Sequence, residues 1–431
     1  MTTDDLLARH RAVLPAWMPL YYQEPIEIVS GAGCRVTDAR GRTYLDFFGG
    51  VLTTMIGYDI PEIREAVERQ LRTGVVHTST LYLIRQQVEL AEKIARLSGI
   101  PDPRVFFTNS GTEANEAALL VATNHRRSHQ ILAVRNSYHG RSYAAMGITG
   151  HRSWSASALN PLQVSWLHSG DRLRGLLSRL DPEQHVEAAV DDLREVLATQ
   201  TSGDVAALIA EPIQGVGGFV HAPDGLLGAW KKVLDETGIL LISDEVQTGW
   251  GRTGEHFWGY QAHDVVPDLL TFAKGIGNGF ALAGVVGRAE VLNEVHATSF
   301  STYGGNPVST AAGNAVIDYL LDHDLQANAA RVGAILGDGL RTAVADRGIV
   351  GEVRGKGLML AVEFVQPGSR EPNTAATVAV FEECRRGGLL VGKGGLYGNV
   401  LRMGPPLTLT EDEAREGLAV LVDAITKVDG A

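Results

Sequence analysis

The sequence predicts an α/β fold built on a mostly parallel sheet, and three observations predict it. Short apolar runs such as Ile239-Leu240-Leu241-Ile242 and Leu269-Leu270 end at a polar side chain followed closely by glycine, as buried strands do. Segments with helical spacing alternate with these runs, and that order belongs to parallel strands joined by right-handed crossovers. The chain has 431 residues, is 45% apolar and carries 50 glycines. It has the material for a large core with many tight turns, in two or three domains.

Composition excludes several classes. A net charge of −12 argues against nucleic acid or an anionic membrane as partner. Cys34 and Cys384 are far apart and have no histidine cluster beside them, so free thiols in a reducing, cytoplasmic setting are expected and a metal site is not. The start, Met1-Thr2-Thr3-Asp4-Asp5, lacks the apolar core of a secretory signal and the basic character of a transit peptide. No run of about 18 apolar residues predicts a membrane span, and no repeat recurs at about 20 to 50 residues.

Taken in order, residues 1–30 read as a short helix and an arm punctuated by Pro15, Pro19 and Pro25, with little core of its own. Cys34–Asp38 and Thr43–Phe47 alternate around Ala39-Arg40-Gly41-Arg42, a hairpin signal. Gly49-Gly50 leads into an uncharged stretch, Val51 to Gly57. Pro61–Arg72 opens with proline and carries Ile63, Val67 and Leu71 at helical spacing; Arg85–Leu97 is a second amphipathic helix. Arg104–Thr108 is a short strand that runs into Asn109-Ser110-Gly111-Thr112-Glu113-Ala114-Asn115-Glu116, the start of a helix. A strand, a small polar turn and a helix N-terminus make an anion site, although Ser110 and Thr112 also suit ordinary capping.

Ile131–Val134 is the next strand and ends near Tyr138-His139-Gly140. Trp154 and Trp166 read as core and Asp181–Thr199 as an amphipathic helix, and the pattern of residues 150–200 assigns them no role. Val205–Ala210 is a buried strand ending at Glu211, and Leu226–Thr237 a helix. The following strand delivers Asp244, and Leu269–Phe272 delivers Lys274. Strand ends on one edge of a parallel sheet are where α/β proteins bind ligands. By itself such a pair is equally a buried salt bridge. As chemistry it suits pyridoxal phosphate, which needs a lysine to carry it and an acid to keep its ring nitrogen protonated. Gly275-Ile276-Gly277-Asn278-Gly279 is a poor dinucleotide motif, because Phe280 stands at the third glycine. Ser301-Thr302-Tyr303-Gly304-Gly305-Asn306-Pro307 opens a long Ala-rich helix. From about residue 320 helices alternate with short strands, as expected of a smaller domain, and Arg402 lies on one of these strands before Pro405-Pro406. An arginine so held is a fork for a carboxylate.

Asp-Glu-Val-Gln-Thr-Gly-Trp-Gly-Arg-Thr-Gly (244–254) followed by Pro-Asp-Leu-Leu-Thr-Phe-Ala-Lys-Gly-Ile-Gly-Asn-Gly (267–279) resembles the signature of the class III aminotransferases. Ser110–Glu116, Tyr138-His139-Gly140 and Glu211-Pro212-Ile213-Gln214-Gly215 resemble further parts of that family's pattern. The wording around Glu255–Tyr260 and Gly355–Met359 is most similar to the alanine–glyoxylate aminotransferase branch, to which phosphoethanolamine phospho-lyases are related.

The resemblance implies fold type I: a large domain (61–319) with a mostly parallel seven-stranded sheet, a small α+β domain (320–431), and an N-terminal arm and hairpin (1–60) joining the small domain. It implies that Lys274 carries pyridoxal 5'-phosphate and moves the substrate proton, and that Asp244 pairs with the ring nitrogen. Ser110, Gly111 and Thr112 would hold the phosphate, Tyr138 and Val246 the two ring faces, and Gln247 the ring hydroxyl. Thr302 would reach the phosphate of a neighbouring subunit, making a homodimer or a dimer of dimers. His139 is as well a structural histidine as a cofactor contact. Arg402 and Glu211 would form a movable pair that binds the substrate carboxylate, with Val51 in the substrate pocket. The implied reaction is ping-pong transfer from an amino acid or amine to pyruvate, glyoxylate or 2-oxoglutarate, the alternatives being a lyase, racemase or decarboxylase.

Overall fold

The computed structural model describes residues 3–18, 20–156 and 159–430. Met1 and Thr2 of the acidic start and Pro19 of the arm lie outside these residues. The centre is a seven-stranded sheet. In chain order its strands are β1 (Pro103–Thr108), β2 (Gln130–Val134), β3 (Gln163–Leu167), β4 (Ala207–Ala210), β5 (Leu240–Asp244), β6 (Leu269–Phe272) and β7 (Ala283–Arg288). They lie side by side as β1-β7-β6-β5-β4-β2-β3. Only β7 runs against the others, pairing antiparallel with β6 and β1. Strands β2, β4 and β5 are buried at every residue, which is why they read as continuous apolar runs rather than alternating ones.

Register places the polar strand ends together. Ile242 pairs with Leu269 and Asp244 with Thr271 across β5 and β6, while Ser243 pairs with Ala210 of β4. Glu211, Asp244 and Lys274 therefore leave three neighbouring strands at one edge. The helix Gly111–Arg126 starts at the same edge after β1. Ser110 caps it by accepting from Glu113 N at 3.2 Å, and its buried face includes Ala114, Ala118 and Ala122, small enough to bring the helix close to the sheet.

A second sheet combines Val350–Lys356, Met359–Phe364, Val400–Met403 and Gly392–Gly394, all antiparallel. The hairpin of Arg35–Asp38 and Thr43–Asp46 forms as the sequence predicts. Its second strand pairs in parallel with Leu389–Leu390, so the start of the chain is joined to its last third.

The hairpin leads into an unusual turn. Gly49, Gly50, Val51 and Leu52 all have positive φ, at 51°, 60°, 67° and 64°. For β-branched Val51 this left-handed conformation costs about 1–3 kcal/mol. Asp46 holds the turn, accepting from Phe48 N (2.8 Å) and Gly49 N (3.0 Å) with one oxygen and from the Tyr58 hydroxyl (2.6 Å) with the other. Cys34 and Cys384 are both buried and free, and none of the described helices is long and apolar enough to cross a membrane.

Candidate active site

A cavity of about 620 Å³ opens at the carboxyl edge of the central sheet. It is bounded by the strand ends, the N-terminus of the helix Gly111–Arg126, the left-handed turn and Arg402. Of the residues singled out in the sequence, Val51, Ser110, Gly111, Thr112, Tyr138, His139, Glu211, Asp244, Val246, Gln247, Lys274 and Arg402 all line it. Thr302 does not. It is exposed outside the cavity of its own chain, next to Ser301, whose hydroxyl accepts from the cavity-lining Asn109 Nδ2 at 3.1 Å.

Asp244 is buried, and its carboxylate is fixed from one side. Oδ2 accepts from Asn115 Nδ2 and is bonded to His139 Nδ1, both at 2.8 Å. Oδ1 accepts only one long bond, from Val246 N at 3.2 Å, which leaves it capacity for a further donor from the cavity. Next in the chain, Glu245 is wholly buried and accepts from Thr248 Oγ1, Tyr260 N, Gly259 N and Ser243 Oγ at 2.5–3.1 Å. These bonds pin the turn that carries Asp244.

Lys274 follows β6 with φ of 52°, and its amine makes no hydrogen bond or ion pair among the described residues. Burial pushes its pKa down, against the opposing pull of Asp244 and Glu211. A lowered pKa enlarges the neutral fraction of the amine, the form that acts as nucleophile and base. Gly111 lies so close to Val246 that a Cβ there would stand 3.1 Å from both valine methyls. That approach brings the first free N–H groups of the helix against the cavity, where an anion is favoured.

The substrate end is built differently. Glu211 accepts from Tyr138 N (2.9 Å) and Gly215 N (2.7 Å). Burial pushes its carboxyl up to about 7, the nearby His139 opposing. The expected Glu211–Arg402 pair is not formed among the described residues. Arg402 instead donates to Gly215 O from Nη1 (2.9 Å) and to Lys393 O from Nη2 and Nε (2.8 and 3.1 Å). Acid and guanidinium meet through one residue, Gly215, whose N–H donates to Glu211 and whose C=O accepts from Arg402. Arg402 lies over the rings of Phe48 and Phe219, and burial pushes its pKa down.

Among the lining residues that sequence reasoning missed, three stand out. Asn115 lies on the helix after the phosphate turn, and its Nδ2 bonds both Asp244 Oδ2 and His139 O; its position one turn beyond Gly111 was the available signal. Tyr21 of the arm accepts from Lys393 N at 2.8 Å and stacks on Phe48. Trp154, expected in the core, is half exposed and lines the cavity, because its segment turns back to Tyr138. Nothing in its local pattern signals this. Trp166 is partly buried against the core, as expected.

The residues fit pyridoxal phosphate on grounds independent of motif. Gln247 is buried with Oε1 unpartnered, a waiting partner for the ring hydroxyl. Asp244 has a free acceptor position, Lys274 an unengaged amine, and a helix N-terminus faces the same space. Fold and site together define a pyridoxal phosphate-dependent enzyme of fold type I.

The family profile described as aminotransferase class-III matches residues 19–425. A mitochondrial alanine–glyoxylate aminotransferase 2 homolog of Arabidopsis thaliana is 41% identical over 96% of this chain and 85% of its own. The human alanine–glyoxylate aminotransferase 2 is 34% identical over 98% and 86%. Among solved structures, a phospholyase from Arthrobacter in complex with phosphoethanolamine superposes with a TM-score of 0.89 at 36% identity, covering 98% of this chain and 99% of that one. An (S)-enantioselective omega-transaminase from Thermomicrobium roseum gives 0.91 at 34% identity, covering 99% of each. The chain belongs to the class III aminotransferase family and is a pyridoxal phosphate-dependent transaminase.

Proposed function

We propose that the enzyme moves an amino group from a small amino acid or amine to a small 2-oxo acid, pyruvate, glyoxylate or 2-oxoglutarate, by a ping-pong mechanism. The observation that carries this reading is the placing of Lys274 and Asp244 at neighbouring strand ends, with Arg402 in the same cavity. The alanine–glyoxylate relatives and an aminovalerate aminotransferase of Pseudomonas putida, 35% identical, support the substrate class.

The cofactor, when bound, supplies the electron sink for the charge left as the substrate loses its Cα proton. Asp244 would keep the proton on the ring nitrogen, with Asn115 and His139 holding the carboxylate in place. Lys274 Nζ would take the substrate's Cα proton and hold it for return on the far side of the transferred nitrogen, as a general acid–base. Arg402 has two donor positions beyond its three carbonyl bonds, and these receive the substrate carboxylate. Gln247 would bind the ring hydroxyl, and Tyr138 and Val246 would enclose the ring.

The active unit in this reading is a homodimer in which Thr302 completes the neighbour's phosphate site. Leu81, Tyr82, Leu83 and Tyr303 support it. All four are exposed, Leu83 at 97%, and Tyr303 packs on His77. Clustered apolar exposure of this kind marks an association surface, and light scattering of the holoenzyme gives at least twice the chain mass.

Donor panels against the three keto acids test the chemistry. Keto acid forming in step with consumption of an acceptor supports transfer. Keto product or aldehyde released with ammonia and no acceptor marks a lyase, and loss of optical purity alone marks a racemase.

A further inference from the structure

The segment after Tyr138 supplies a wall of the cavity to which no role has been assigned. Trp154 meets the Tyr138 ring edge-on, with centroids 5.4 Å apart and planes at 74°. It lines the cavity yet is 50% exposed, an unusual position for a large aromatic side chain unless something packs on it. Its backbone is set by a turn, with Trp154 N and Ser155 N both donating to His151 O, at 2.9 and 3.2 Å. His151 is buried. It lies near enough to Arg402 for that charge to add to burial in pushing its imidazole below the ordinary range. One short turn thus runs from the carboxylate end of the cavity to the ring-stacking tyrosine. The indole it carries meets Tyr138 and lines the cavity into which Arg402 also opens.

We propose that Trp154 is a specificity-determining residue: its indole is the wall against the substrate's α-substituent and confines the enzyme to small, alanine-sized groups. This rests on the transaminase reading and on Arg402 as carboxylate anchor. A flat rigid ring fixed at one edge by Tyr138 cannot shorten to admit a phenyl or branched group. A missing wall removes that clash without touching Lys274, Asp244 or Arg402.

Calorimetric titration of the holoenzyme with two unreactive acids, propionate and 3-phenylpropionate, isolates the effect. Both carry the carboxylate and differ only in the substituent. In Trp154→Ala the dissociation constant of 3-phenylpropionate, relative to that of propionate, falls about tenfold, the scale of pocket-size discrimination. The kcat/KM for phenylalanine over that for alanine rises in parallel. Trp154→Phe, which keeps a flat ring, stays near the wild-type ratio. If Trp154→Ala does not retain cofactor, Trp154→Leu gives the same comparison. A ratio unchanged in the shortened variant, or both acids affected alike, overturns the proposal. Wild-type enzyme that makes no keto product from alanine would instead overturn the transaminase reading, and the ratio of the two acids would still judge the wall.

Discussion

The two ends of the cavity are held in opposite ways. At the ring end, Asp244 is fixed by Asn115 and His139, and Glu245 behind it by four donors. All these groups belong to the central sheet, its helices and the loops between them. At the substrate end, Arg402 comes from the second sheet and donates to carbonyls of Gly215 and Lys393 rather than to a carboxylate, with the Phe48 and Phe219 rings, Tyr21 of the arm and Trp154 of a loop around it. A site for one permanent ligand can be preorganised completely. A site that must take two different substrates in turn is better served by contacts that are individually weak and drawn from separate elements. Neutral carbonyls hold an arginine in place yet release it to a carboxylate more readily than an ion pair would.

The largest expected effect falls at the ring end. Lys274→Ala keeps the cofactor through phosphate, ring and Asp244 contacts. Its kcat falls by roughly 10³-fold or more, since both the carrier amine and the acid–base group are lost. Borohydride then no longer fixes the cofactor to the protein, and near-normal turnover would break the assignment. Asp244→Asn comes next. The amide loses the charge that favours a protonated ring nitrogen. Half-reaction rates at saturating cofactor drop on the order of 10²-fold, and stopped-flow rates equal to wild type would remove Asp244 from the mechanism.

The substrate end gives smaller, selective effects. Arg402→Ala raises KM for keto-acid acceptors about tenfold or more, the worth of a charge-assisted hydrogen bond at about 1.5–3 kcal/mol. Uncharged amine donors suffer much less; equal losses for acids and amines would make Arg402 structural. Glu211 gives a pH signature. Its carboxyl, pushed up to about 7, is neutral below that pH and ionised above it. Acceptor kcat/KM therefore falls as pH rises through about 7, as a negative charge develops near Arg402, and Glu211→Gln flattens that step. Stability follows the same sign. The folded state retains a proton that the unfolded chain releases near 4.5. The contribution is thus complete below that pH and is lost as pH rises through about 7. Thermal melts of the two proteins from pH 5 to 8 should converge or cross in that direction.

This contrast also governs how much was legible in the sequence. The ring end was readable because each group sits at a strand end or helix start, where local pattern fixes the element and the parallel register fixes the neighbours. Lys274, Asp244, Glu211 and the Ser110–Thr112 turn all reach the cavity for that reason. Arg402 was readable as a cavity residue, but its hydrogen-bond acceptors are main-chain carbonyls, which carry no side-chain signature, and the expected acid–arginine pair gave way to a shared residue, Gly215. Asn115 looks like any polar residue of a helix until β5 is packed beneath it. Trp154 is placed by a loop whose path depends on contacts far away in sequence. Thr302 is legible only as an exposed residue on a surface that a second subunit would cover.

The pairing of the first hairpin with Leu389–Leu390 has a consequence for the order in which the protein is made. Leu45 N donates to Gly388 O and Phe47 N to Leu390 O, each at 2.8 Å. Phe48 and Val51, just beyond, line the cavity. A chain emerging from the ribosome can complete the seven-stranded sheet, with Asp244 and Lys274 in place, once its first 290 or so residues are free. Its opening hairpin must then wait, unpaired along one edge, for a segment synthesised near the end. During that interval the nascent protein has the strand ends of Asp244 and Lys274 together and has no finished place for a substrate.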